Sequence, residues 1–152
     1  MYGIQLLIDV RRWPSSRVNP AFNREELEER LSREGIGYEW LGESLGGYRR
    51  KGLGKDSPNQ AWKSPGFRNY ADHTLTQEFR EGVERLIKLA GERKAAFMCA
   101  EKYYWRCHRR ILSDYLAMKG CRVIHIIDKG EAREHRVTSF AEIREGVLTY
   151  PP

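Results

Sequence analysis

The sequence predicts an α/β fold: a mostly parallel sheet with helices on both faces, built as a single domain over residues 1–152. Three observations lead there. Short apolar runs recur at residues 4–10, 36–41, 95–98 and 123–127, each of strand length. Between most of them the apolar residues return at helical spacing, and strands alternating with helices make a sheet of parallel strands. A chain of 152 residues, 40% of them apolar, can also bury one sizeable core without needing a second domain.

In chain order, residues 4–10 (IQLLIDV) form an apolar strand ending near Asp9, followed by a donor-rich turn from Arg11 to Arg17. Asn23 with Glu26 three residues on has the form of a capping box, and Leu27 and Leu31 give the following helix its apolar stripe. Gly35 is the stop signal. Residues 36–41 read as a strand, with Ile36, Tyr38 and Trp40 on one face. Residues 42–72 read as a long, basic, Gly-rich loop, a kind usually functional or mobile. A helix follows over residues 74–90, carrying Leu75, Phe79, Val83, Leu86 and Ile87. After the strand at 95–98 comes a loop, and from Cys107 a helix with Ile111, Leu112, Tyr115, Leu116 and Met118 on one face. Residues 123–127 (VIHII) read as a buried strand opened by a core Cys121, and residues 128–134 as a charged turn. A short strand at 136–138 and a helical turn at 141–144 close the chain.

The net charge of +6 suits a polyanionic partner. No run approaches the length of a membrane span, and no basic-then-apolar leader opens the chain, so a membrane partner is not expected. Three cysteines make no secreted disulfide framework, which favours a reducing cytoplasm.

Several motifs together resemble one family. Asp9-Val10-Arg11, Pro14 with Ser16, Gly46-Gly47, Cys99-Ala100-Glu101 and Cys107-His108-Arg109 occur in the order found in the family catalogued as domain of unknown function 488. The resemblance runs from about Ile4 to His125. It implies an α/β fold and a shared site for these residues, and it supplies no reaction. Members usually open with a strand, a Gly-His-Ser turn and a helix. The chain starts after that unit, so either the sheet lacks one strand or a partner chain or a shortened start explains the loss, and an edge so exposed makes a homodimer an expectation.

The chemistry concentrates between Cys99 and Arg110, where a strand end, a loop and a helix start meet, the usual place for a ligand crevice in an open α/β sheet. A helix N-terminus favours an anion, and guanidiniums grip phosphate oxygens with forked hydrogen bonds. Arg11, Ser16, Gly47, Arg49, Cys107 and Arg109 are therefore the expected phosphate contacts, with Tyr104 and Trp105 as platforms on which a base stacks. Glu101, His108 and Asp9 are the acid/base candidates, and Cys99 the candidate nucleophile. Each also has a structural reading: Asp9 and Glu101 as partners of arginines, His108 as a helix cap, the cysteines as small core residues. Six residues separate Cys99 from Arg106, one too many for the cysteine-phosphatase loop. No cofactor is expected. The alternative is zinc on Cys99, Cys107 and His108 with Glu101 as acid/base, which lacks a following Pro-Cys-x-x-Cys and asks adjacent residues to share one ion. His73 and His135 read as surface residues, and His125 as a hydrogen-bonded core histidine.

The function expected is binding of a phosphorylated ligand, a nucleotide or nucleic acid, with hydrolysis as its enzymatic form. Two alternatives stand beside it: a non-catalytic nucleic-acid-binding module, and a thiol- or zinc-dependent enzyme.

Overall fold

The computed structural model describes residues 2–152. The chain divides into two compact units, neither of them contiguous in sequence. One comprises the segment ending at Gly46 with Glu81–Ala100, the other Gly47–Arg80 with Glu101–Pro152.

The first unit holds a three-stranded parallel sheet of β1 (Leu6–Asp9), β2 (Gly37–Trp40) and β3 (Ala95–Met98), in the order β2-β1-β3. Leu6 is in register with Gly37 on one side and Ala95 on the other. The central strand is the most buried, with Leu6, Ile8 and Val10 all inside, as a strand flanked on both edges requires. α1 (Arg24–Arg33) links β1 to β2, with Leu27 buried and Glu25 and Glu26 in its first turn, where the helix dipole favours acids. Asn23 stands at its N-cap position, yet its side chain does not cap. The Asn23 Oδ1 accepts the Ser16 N–H at 2.6 Å instead, so the expected capping box gives way to a brace on the preceding turn. After β2 the chain turns at once into α2 (Gly42–Leu45). A Cβ at Gly42 would lie 1.7 Å from the Arg11 carbonyl oxygen, so this close approach accepts only glycine. Most of α4 (Gln77–Glu92) belongs here too, its first turn lying in the second unit.

The second unit is built on α3 (Pro65–His73), α5 (Arg109–Met118) and two antiparallel hairpins. The hairpins are β4 (Ile124–Asp128) with β5 (Glu131–Glu134), and β6 (Glu142–Arg144) with β7 (Val147–Thr149). Pro65 opens α3 at a position where its missing N–H costs nothing. The tight β6–β7 turn places Glu145 and Gly146 at φ +50° and +76°, as a two-residue hairpin turn of the type I′ hand demands. Its core is aromatic. Phe79 meets Tyr115 edge-on at 4.9 Å, and Trp62 meets Tyr150 at 5.2 Å.

Among the described residues, parallel pairing is thus confined to three strands, and the remaining four pair antiparallel. The 42–72 stretch is not one loop, since α2 and α3 lie within it. Its basic middle is tied down by buried Asp72, which accepts the Leu53 N–H at 2.8 Å, the Asn59 amide at 2.8 Å and the Ser57 hydroxyl. Only His125 is buried in β4, because a hairpin strand hides one face where a central parallel strand hides two. Cys121 precedes that strand and is half-buried. Within the turn expected at 128–134, Lys129 and Gly130 turn while Glu131–Glu134 form β5, no strand covers 136–138, and the expected helical turn at 141–144 is β6. Among the described residues no helix is long and apolar enough to cross a membrane.

Candidate functional site

In the first unit, Asp9 ends the central strand and has no exposed surface. Its Oδ1 accepts the Arg11 backbone N–H at 3.1 Å and the Arg11 Nε at 2.9 Å, and its Oδ2 accepts the Arg11 Nη2 at 2.6 Å and the Tyr38 hydroxyl at 2.5 Å. The remaining end of the guanidinium donates to the Phe22 carbonyl at 2.7 Å. Burial works to lower the Arg11 pKa, but the Asp9 carboxylate outweighs it and the net shift is upward. Burial, and then the bond to Asp9, push the Tyr38 phenol well above its usual range. Both oxygens of Asp9 are saturated and Arg11 is turned inward, so this pair orders the strand end instead of presenting a base or a phosphate grip. Ser16 is likewise engaged: its backbone N–H reaches Asn23 and its Oγ accepts the Asn19 N–H at 3.0 Å. Cys99, half-buried just past β3, also belongs to this unit and forms no disulfide.

The second unit gathers the rest. The Glu101 side chain accepts the Tyr103 N–H at 3.3 Å, and its backbone carbonyl accepts from Arg109 Nη2. Cys107 Sγ accepts the Arg109 backbone N–H at 3.4 Å and its Nε at 3.2 Å, doing at the start of α5 what a hydroxyl usually does at an N-cap. His108 stands at the N-cap itself without a side-chain cap bond. Its ring lies against Gly47, where a Cβ would come within 2.8 Å of Nδ1, so that glycine makes room for the imidazole. Cys107 and His108 offer a sulfur and a ring nitrogen within 4.8 Å of one another. Arg49 is largely buried and faces Glu78 at 3.7 Å.

A cavity of about 390 Å³ opens beside α5. Tyr104 and Trp105 line it, with Arg110, Arg133, Arg136 and His135, and Thr138 and Ser139 add hydroxyls. The Arg110 guanidinium lies 5.0 Å over the Trp62 ring and donates from Nε to Thr138 Oγ1 at 3.1 Å, which fixes its plane. Behind this wall, Asp114 is wholly buried in α5. It accepts from His135 Nε2 at 2.7 Å, the Thr138 N–H at 3.0 Å and the Tyr150 hydroxyl at 2.7 Å. His135 Nδ1 in turn lies 2.7 Å from His125 Nε2, and Tyr104 stacks on the His125 ring with centroids 3.4 Å apart. Burial first, then the nearby His135 and Arg109, push the His125 pKa down to about 4, with Asp114 opposing. Burial and Asp114 raise Tyr150 far beyond the ordinary phenol range.

The structure therefore places Glu101, Tyr104, Trp105, Cys107, His108, Arg109, Gly47 and Arg49 in the second unit, and Asp9, Arg11, Ser16 and Cys99 in the first. His135 does not sit at the surface as expected: its side chain is 2% exposed, enclosed by its hydrogen-bond partners Asp114 and His125 and by the Tyr104 ring. Arg133, Arg136 and the Asp114 cluster escape sequence reasoning. One signal for the cluster was present, since Asp114 stands three residues after Ile111 and four before Met118, an acid on an apolar stripe.

The family model described as Domain of unknown function DUF488 matches residues 1–116. No curated protein matches the chain, and no solved structure does. The match includes Tyr104, Trp105, Arg110 and Asp114, while Arg133, His135, Arg136, Thr138 and Tyr150 lie beyond it.

Proposed function

The chain belongs to the DUF488 family, and on that footing we propose that it binds a phosphorylated ligand, a nucleotide or nucleic acid, in the cavity beside α5. The observation that carries the proposal is the lining: two aromatic rings and three arginines converge on one open cavity of about 390 Å³. Aromatic faces accept bases, and guanidiniums accept phosphates with geometry that lysine lacks. The phosphate grip falls to Arg110, Arg133 and Arg136, because Arg11 and Arg109 are committed to Asp9 and to Cys107 with Glu101. The net charge of +6 supports a polyanion.

The enzymatic form of the proposal is hydrolysis of the bound ligand, with Glu101 and His108, which share the second unit, as proton-moving groups. Three cysteines outside any disulfide support a reducing, cytoplasmic setting. The proposal retains a sheet covered on both faces and pairing of two chains at a sheet edge.

The test is a titration of the full chain with a nucleoside diphosphate and with a short single-stranded oligonucleotide, followed by tryptophan fluorescence. Arg133→Ala with Arg136→Ala should weaken both by about tenfold or more, and oligonucleotide affinity should fall steeply with salt. Glu101→Gln should abolish phosphate release while leaving binding intact. Binding that ignores the arginine changes would refute the site, and binding with no Glu101-dependent turnover would leave a binding module.

A further inference from the structure

Asp114, His135 and His125 form a linear hydrogen-bonded chain behind the cavity wall, with both links at 2.7 Å. An ionised carboxylate can only accept, so His135 Nε2 carries a hydrogen. While both rings are neutral, His135 Nδ1 must accept, His125 Nε2–H donates to it, and His125 Nδ1 is left as an acceptor. A proton arriving at His125 Nδ1 reverses the middle link. His125 passes its Nε2 hydrogen to His135 Nδ1 and returns to neutrality as the other tautomer. One proton has entered, none has left, and the positive charge rests on His135 against Asp114.

The groups facing this pair oppose one another. Asp114 and, through it, the Tyr150 hydroxyl favour the charged form. Arg109 and Arg110 on α5, Arg133 across from His125 on β5, and Arg136 beside His135 oppose it, while Tyr104 covers the His125 face. An anion in the cavity neutralises the opposing guanidiniums and leaves the attraction of Asp114 in command.

We infer that anion binding in this cavity draws one proton onto the His125–His135 pair, making His135 a fourth cationic element of the wall, so that the site favours dianionic groups over monoanionic ones. This rests on the binding reading above and adds its regulation by pH. Burial of His125 supports it, since burial holds the pair neutral until an anion offsets the facing guanidiniums.

Sulfate is the probe, because it stays dianionic throughout and any proton taken up goes to the protein. Calorimetric titration of the full chain in two buffers of different ionisation enthalpy should show uptake approaching one proton, with affinity rising by up to about tenfold per pH unit as the pH is lowered. Methyl sulfate, of similar shape but singly charged, should bind more weakly and draw less. Imidazole nitrogen NMR should show His125 changing tautomer and His135 gaining its second hydrogen when sulfate binds. His135→Gln should bind sulfate without pH dependence. Should that variant misfold, the proton count on the unaltered chain still decides. Sulfate binding that depends on Arg133 and Arg136 but takes up no proton overturns the coupling and leaves the binding reading standing. No saturable binding of sulfate or of a nucleoside diphosphate overturns both.

Discussion

Asp9 and Asp114 are the two carboxylates with no exposed surface, and each is held in a different manner. Asp9 is closed by Arg11 and Tyr38, a salt bridge two residues long that the Asp-x-Arg spelling makes visible in sequence. Asp114 is closed by groups 21, 24 and 36 residues away, and nothing in local sequence announces such partners. That difference in contact range explains why one cluster was legible and the other was not. The histidine behind Asp114 has a consequence for stability. The folded-state pKa of His125 is depressed to about 4, so the native chain resists a proton that the unfolded chain accepts near its ordinary value of 6.5. Stability is then complete above about pH 6.5 and declines as the pH falls towards about 4. Melting temperature recorded against pH should show this decline, and His125→Asn should flatten it.

At the scale of elements, the sequence is most readable where apolar residues repeat long enough to set a period. The strands of the parallel sheet, α1, α4 and α5 all lie close to their expected places. α3 is missed because its nine residues sit in a glycine- and lysine-rich setting whose composition masks the short stripe. β5, β6 and β7 are missed because strands of three or four residues with mostly exposed side chains carry no alternation strong enough to see, whereas β4 lies close to the strand expected at 123–127. The basic middle of the 42–72 stretch owes its order to one residue. Asp72→Ala would strip the partners from Leu53, Ser57 and Asn59 together, at a cost of about 2–4 kcal/mol. Hydrogen exchange at the Leu53 amide should quicken well before the amides of β1 do, and equal quickening throughout would show that Asp72 supports more than this segment.

For the whole molecule, the sheet order β2-β1-β3 leaves β2 and β3 each with one neighbour within the sheet. An unpaired edge is a template for a second chain, which is the physical ground for proposing a homodimer. Sedimentation equilibrium should therefore return about twice the mass of 17.8 kDa, and the mass of a single chain would remove this part of the proposal. The family match ends at residue 116, two residues beyond Asp114 and short of every group that donates to it. A buried carboxylate without donors is costly enough to be eliminated by selection. Position 114 and the tail are thus physically coupled. In relatives whose tails lack counterparts of His135, Thr138 and Tyr150, the acid at this position should have been exchanged for a neutral residue, and where the acid persists the three donors should persist with it.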